Sequence, residues 1–419
     1  MLDRLLFGRE EKATRRAYFW NLVASLLFSL QSAVFLLIVT RIGGAEEAGL
    51  FLILYTVAQT LNAVGTWNLR EYQVSDLRGA FPFRTYYTAR WLTCLLMTAC
   101  AAGYGLIRGL DSEGFFVLLC LTGYRFVEDL EDVIHGAAQR AGRFDAASLA
   151  MSLRIAISSC CFVIAYALSR NLRVASCALL LSCLGCFLIL IPPFRKHDPD
   201  TRPGWRLTGV GKLLFQGFPI FAGMFLYSFL INAPRYTIDA MMSGEAQTVF
   251  GVLFMPVFSI NLLSAFLYRP QLVAISTRWD GGDVRGFRRM AGKQLLMIAA
   301  ITGSVTLLGD LVGRRLLELV YGVDLAPWRK TFALLLIFGG VTAAAFYLNT
   351  LLTVIRKQGY ILVGYALALI THLLITAALV ADRGIHGAAL AYGAIMGTLF
   401  VFDAAVMLIQ IGKKGGIPS

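Results

Sequence analysis

The sequence predicts an all-α integral membrane protein with about twelve transmembrane helices in two pseudo-symmetric six-helix lobes, both termini cytoplasmic. Three observations predict it: an unusually apolar composition, apolar runs of membrane-spanning length, and basic residues confined to alternate connections. The chain is 58% hydrophobic and 15% charged, with a mean hydropathy of +0.68. A soluble domain has about 45–50% apolar and about 25% charged residues.

Each apolar run is long enough to cross a ~30 Å hydrocarbon core. The runs fall near 18–40, 48–67, 89–108, 113–139, 145–168, 172–194, 213–241, 246–268, 291–312, 330–352, 360–381 and 384–410. No alternating ten-residue segments of barrel type are present, so the spans are expected to be helical. The polar stretch 195–212, which carries Asp198, Pro199, Asp200, Pro203 and Gly204, divides the chain into lobes 1–194 and 213–419.

The net charge of +13 raises the question of nucleic acid. Its distribution answers against it. Arg4, Arg9, Lys12, Arg15 and Arg16 precede the first span, and Arg70, Arg78 and Arg84 follow the second. Arg140 and Arg143 come next, then Arg195 to Lys212, Arg269 to Lys293, Arg356 with Lys357, and Lys413 with Lys414. The remaining connections are shorter and poorer in Lys and Arg. This bias places the basic loops in the cytoplasm and allows attraction to anionic headgroups. The first span has a charged leader without a small-residue cleavage site, and is expected to be retained.

All eight cysteines lie within expected spans. Cys183 and Cys186 share a helix face, yet buried thiols without His or acidic neighbours behave as small hydrophobes.

The halves echo one another. The connection 40–51 and the connection 242–252 are both short, with a glycine opening the turn and another at the next helix start. Gly142 and Gly359 mark the fourth-to-fifth and tenth-to-eleventh turns, and 172–175 and 385–388 lead into the last span of each half. Repeats offset by an even six spans run parallel.

Ionisable residues inside spans are costly and call for a partner. Arg125, Glu128, Asp129, Asp132, His135 and Gln139 recur at steps of three and four and share one face of the fourth span. Arg125 lies about twelve residues, or ~18 Å, from the start of that span. Such a stripe either lines a wet vestibule or pairs internally, Arg125 with Glu128 or Asp129. Arg154, deep in the fifth span, has no acid nearby in sequence. Its partner is either a fourth-span carboxylate or a phosphate. Ser228, Asn232, Arg235 and Asp239 form a stripe on the seventh span, interrupted by Pro234. Arg235 and Asp239 either neutralise one another or open to a phosphate and a cation. Arg41, late in the first span, is either a snorkelling interfacial residue or a substrate contact. Pro219 and Pro256 are kink candidates, and Asp403 reads as a helix-end charge.

The segments Phe7-Gly8-Arg9-Glu10-Glu11-Lys12, Phe19-Trp20-Asn21, Val39-Thr40-Arg41-Ile42 and Ala48-Gly49-Leu50-Phe51 resemble bacterial polysaccharide transporters, the Wzx-type flippases for lipid-linked oligosaccharides. Arg70-Glu71-Tyr72-Gln73-Val74-Ser75-Asp76 and Asn232-Ala233-Pro234-Arg235-Tyr236-Thr237-Ile238-Asp239 fit the same pattern. The resemblance covers nearly the whole chain through diffuse motifs. It implies a V-shaped bundle of the multidrug/oligosaccharidyl-lipid/polysaccharide exporter superfamily, in the bacterial cytoplasmic membrane. It further implies translocation of a polyprenyl-(pyro)phosphate-linked glycan by alternating access, without catalysis.

Arginine suits the phosphate because its planar fork donates two hydrogen bonds while staying charged. Arg125, Arg154, Arg235 and Arg41 are therefore the expected phosphate contacts. Glu128, Asp129, Asp132, Asn232 and Asp239 are the expected cavity or ion-coupling groups. No Gly-Lys-Ser/Thr loop is present, so nucleotide drive is not expected; no cofactor is expected, and H+ or Na+ is the candidate coupling ion. Expected partners are membrane lipids, the polyprenyl-linked glycan and glycan assembly enzymes, with the chain acting as a monomer and without nucleic acid. The competing readings are a membrane-embedded glycan polymerase or ligase, a lipid II-type flippase and a drug exporter of the same superfamily. Repeated intramembrane arginines weigh against a cationic cargo.

Overall fold

A computed structural model describes residues 6–7, 13–76, 79–198, 201–202 and 204–415. Arg4, Arg9, Lys12 and Arg78, the linker residues Pro199, Asp200 and Pro203, and the Gly8–Lys12 part of the resemblance lie outside them. Among the described residues every regular element is helical.

The first half of the chain folds into α1 (Ala13–Gly43), α2 (Ala45–Thr66), the short α3 (Leu69–Ser75), α4 (Phe83–Ile107), α5 (Ser112–Arg140), α6 (Phe144–Ser169) and α7 (Leu172–His197). The second half contains α8 (Val210–Met241), α9 (Gly244–Tyr268), α10 (Leu272–Asp280), α11 (Val284–Leu308), α12 (Arg314–Tyr321), α13 (Arg329–Val354) and α14 (Gln358–Lys414). A single π-turn, Gly309–Gly313, joins α11 to α12. The expected connection 313–329 is thus helical over half its length.

Helix starts follow local chemistry. The side chains of Asp111, Asn171, Ser243 and Asp283 each accept a backbone N–H from the first turn of α5, α7, α9 and α11, satisfying donors that have no intrahelical partner. Asp283 is exposed, and the Gly286 amide N–H above all, with Arg278 assisting, holds its carboxyl below the usual range. Helices α8 and α9 continue through Pro219, Pro234 and Pro256 without a break in assignment.

Among the described residues ten helices are long and apolar enough to cross a membrane, which makes the chain a multi-pass membrane protein. The fourth expected span, α5, is not among the ten, because its charged face breaks the apolar run. The eleventh and twelfth expected spans are merged in α14, whose backbone leaves helical geometry at Gly384 (φ 53°, ψ −129°). The two arms run antiparallel. Thr371 and Thr398 hydrogen-bond at 3.1 Å, and Gly364 faces Leu399, Phe402 and Asp403. Positive φ with that ψ is open to glycine and strained for other residues.

The chain forms two compact units, Met1–Phe225 and Leu226–Ser419, dividing within α8. In the first, α1 packs on α6, α6 and α5 on α7, and α2 and α4 on α5. One core cluster of this unit gathers Tyr86, Val133, Ile134, Ala146, Leu149, Leu190 and Phe194 from four helices. In the second, α13 is central and contacts α9, α11 and α14.

Candidate functional site

The first unit gathers ionisable side chains around a cavity of about 220 Å³. Helix α5 supplies most of them. Its 3.6-residue period turns the charged positions inward, where α2, α3, α4 and α6 present complementary groups. Asp132 accepts from Arg70 of α3 at 2.6 Å and from Arg90 of α4 at 3.0 Å. Arg90 also donates to the Gly65 carbonyl at 2.9 Å, and Arg70 to Gln139 at 3.1 Å. On the other flank, Arg154 of α6 donates to Glu128 at 2.9 Å, to Tyr124 at 3.2 Å, and through Nε to Glu131. Arg125 donates to Glu128 at 2.5 Å, to Tyr55 at 2.9 Å and to Gln59 at 2.5 Å. Its guanidinium lies 5.2–5.6 Å from the Tyr124, Tyr55 and Phe28 ring centroids.

Arg90, Arg125 and Arg154 are each no more than 1% exposed. Burial of that depth costs several kcal/mol per ion unless geometry and hydrogen bonds compensate. Here each guanidinium meets at least one carboxylate, and carbonyl, amide or hydroxyl oxygens take further donors, while Arg90 Nε is left without a partner among the described residues. Arg70, Arg90, Arg125 and Arg154 form direct ion pairs with Asp132, Glu128 and Glu131, and Asp129 and Glu71 are further acids on the cavity lining. Arg154 thus has the fourth-span carboxylates as its partners, one of the two alternatives its isolation in sequence left open.

Asp129 differs from its neighbours. It is buried, and the hydrogen-bond donor that reaches it is the weak Cys94 thiol, 3.8 Å away. It is accommodated because position 65 is glycine: a Cβ there would collide with the Asp129 carboxyl and lie 2.8 Å from Met97 Sδ. His135 Nε2 is 3.7 Å from Glu131 Oε1, too long for a hydrogen bond.

The remaining expected site residues are placed elsewhere. Arg41 is exposed in the last turn of α1. Arg235 and Asn232 are buried in the second unit, with Arg235 Nη1 donating to Asn232 Oδ1 at 3.2 Å and its guanidinium 5.0 Å from the Phe254 centroid. Asn232 donates to the Ser228 carbonyl at 2.9 Å, and Asp239 is half-buried. A larger open groove of about 640 Å³ between α11 and α13 carries a single ion pair, Asp310–Arg329. Among the described residues no group of three or more His, Cys, Asp or Glu side chains is placed to hold a metal ion.

Several members of the cluster escaped the sequence reading. Arg70 and Arg90 resemble topology charges because they stand at or near a span boundary. Glu131 falls off the stripe defined by Arg125 and Asp132, on the flank facing α6. Gln31 and Gln59, amides inside apolar runs, were the available signal. Gln31 donates to Tyr124 at 3.1 Å and to Ser159 at 2.9 Å, fixing the tyrosine that in turn contacts Arg154.

No protein-family model matches the sequence, and no curated protein matches it either. Solved structures do match. An inward-facing multidrug resistance MATE family transporter of the MOP superfamily superimposes with a TM-score of 0.69 at 14% identity, over 94% of this chain and 96% of the other. The chain has the MATE transporter fold. An outward-facing MATE transporter of the same superfamily matches with a TM-score of 0.56 at 15% identity, over 98% of each chain. A MOP superfamily transporter from Pyrococcus furiosus, described as having a binding pocket of reverse polarity that suggests a different function, matches equally (TM-score 0.56, 15% identity, 98% of each chain). Matches at identities this low show the MATE fold alone.

Proposed function

We propose that this protein is a membrane transporter working by alternating access, and that its cargo is a polyprenyl-(pyro)phosphate-linked oligosaccharide or other cell-surface polysaccharide precursor. The observation that carries the proposal is the set of buried arginine forks around a polar cavity in the first unit. Arg154 and Arg125 already hold oxygen anions, Glu128 and Glu131, in the geometry a phosphate would take. A phosphate entering the cavity would exchange with these carboxylates, and a proton or sodium ion taken up by a displaced acid would keep the charge constant. Glu128, Asp129 and Asp132 are the candidate acids on this cavity, and within the second unit Asp239 and Asn232 are candidate coupling and polar groups. Arg235, within the second unit, is a further candidate phosphate contact, and Arg41 a candidate entry contact. Counting α5 and both arms of α14 with the ten apolar helices gives twelve spans, with both termini cytoplasmic by the distribution of Lys and Arg. The expected setting is the bacterial cytoplasmic membrane, in a monomeric, non-enzymatic protein.

The test is transport of defined lipid-linked sugars into proteoliposomes under imposed proton or sodium gradients. Arg125→Gln and Arg154→Gln proteins that insert normally should transport at under a tenth of the wild-type rate. Full transport by both would end the phosphate assignment.

A second reading has its own support. Because the arginines are offset by carboxylates, the cluster does not repel a cation, and neighbours with this fold include multidrug transporters. The same vesicles loaded with a fluorescent organic cation decide between the two cargoes.

A further inference from the structure

The second unit buries a carboxylate for which neither a counter-charge nor a donor is found among the described residues. Asp403, in the second arm of α14, is 0% exposed, and neither of its carboxyl oxygens has a hydrogen-bond partner among the described residues. It lies roughly 15 Å along the helix from the basic end at Lys413, at the 1.5 Å rise per residue of an α-helix. The first arm closes over it. A Cβ on Gly364 would stand 3.3 Å from Asp403 Oδ1 and 3.0–3.1 Å from Phe402 and Leu399. Tyr365, from the first arm, is a titratable side chain within electrostatic reach. Beside it, Asn349 donates to the Tyr365 hydroxyl at 3.2 Å, while its own Oδ1 is buried without a partner.

The contrast with the first unit decides the chemistry. There Glu128, Glu131 and Asp132 each face a guanidinium within hydrogen-bonding distance. An isolated carboxylate in an apolar interior is so costly that the group is neutral instead. A helix-end charge, as position 403 reads in sequence, would have water. We propose that Asp403 is a proton-binding site: it carries a proton in the conformation described, and is a coupling group of the second unit alongside Asp239. Its coupling role rests on the transport reading above, whereas its protonation rests on the packing of α14 alone.

The two are tested separately. Infrared difference spectra of the purified full-length protein in nanodiscs, taken across a pH series, should show a protonated-carboxyl C=O band that Asp403→Asn abolishes. Asp403→Leu serves as a second variant with the same expected loss. A spectrum in which both variants keep every protonated-carboxyl band overturns the proposal. So does a sodium-induced spectral change at fixed pH that Asp403→Asn removes, which would make the ligand a metal cation. In proteoliposomes, Asp403→Asn should lose the rate increase produced by an imposed proton gradient. An undiminished response in a variant lacking the infrared band overturns the coupling role while leaving the proton site standing. The infrared measurement needs no cargo, so an error in the proposed substrate does not touch it.

Discussion

Arg154 shows what a lone intramembrane arginine requires. Its guanidinium is held by Glu128, Glu131 and the Tyr124 hydroxyl, so removing the cation alone leaves Glu128 to Arg125 and strands the buried Glu131 carboxylate. Arg154→Met is expected to destabilise the protein by about 3–5 kcal/mol, and adding Glu131→Leu should recover a large part of that loss. Thermal unfolding of the purified variants in detergent checks both values; equal melting of the single and double variants would contradict the pairing. Asp76, outside the spans, is a second residue-scale case. Burial works to raise its carboxyl, but the amide N–H groups of Ala80 and Phe81 and the Tyr86 hydroxyl prevail and hold it below the usual range. Folding therefore favours the ionised form, and its contribution is present above the unfolded carboxylate range and lost as pH falls through the lower folded value. Wild-type stability should drop on acidification more steeply than that of Asp76→Asn, measured as melting temperature against pH.

At the scale of the helix, two glycines set geometry that no side chain can replace. Gly65 lets α2 approach α5 closely enough for Asp129 and Met97 to pack against backbone. Gly65→Ala should lower stability by about 1–3 kcal/mol through overpacking, and Met97→Ala in the same background should relieve part of it. Gly384 turns one arm of α14 back upon the other at a φ of 53°. Gly384→Val places a branched residue in that region, at a cost of about 1–3 kcal/mol. Proteolysis of the turn in native membranes, faster in the variant than in wild type, is the expected readout.

For the whole molecule the prediction concerns topology. If both arms of α14 cross the membrane, single cysteines at Arg383 and at Lys413, in a background lacking the eight native cysteines, label with an impermeant maleimide from opposite faces. Labelling of both from one face would mean that α14 does not cross twice.

The membrane character, the helical class and the approximate positions of the spans were determined by the sequence alone, because apolar runs of bilayer length act within a single helix and need no partner. The polar face of α5 was equally legible, since Arg125, Glu128, Asp129 and Asp132 repeat with the helix. Only the tertiary structure decided what that face meets. Arg70 and Arg90 are far from Asp132 in sequence, and Glu131 joins Arg154 across a helix contact that no local period encodes. Asp403 makes the same point in reverse: near the end of a hydrophobic run it looks solvated, until the preceding arm folds back and buries it. Span location is a one-body property of the chain, whereas the partner of a buried charge is a two-body property, and pairing across helices comes into being only with the fold.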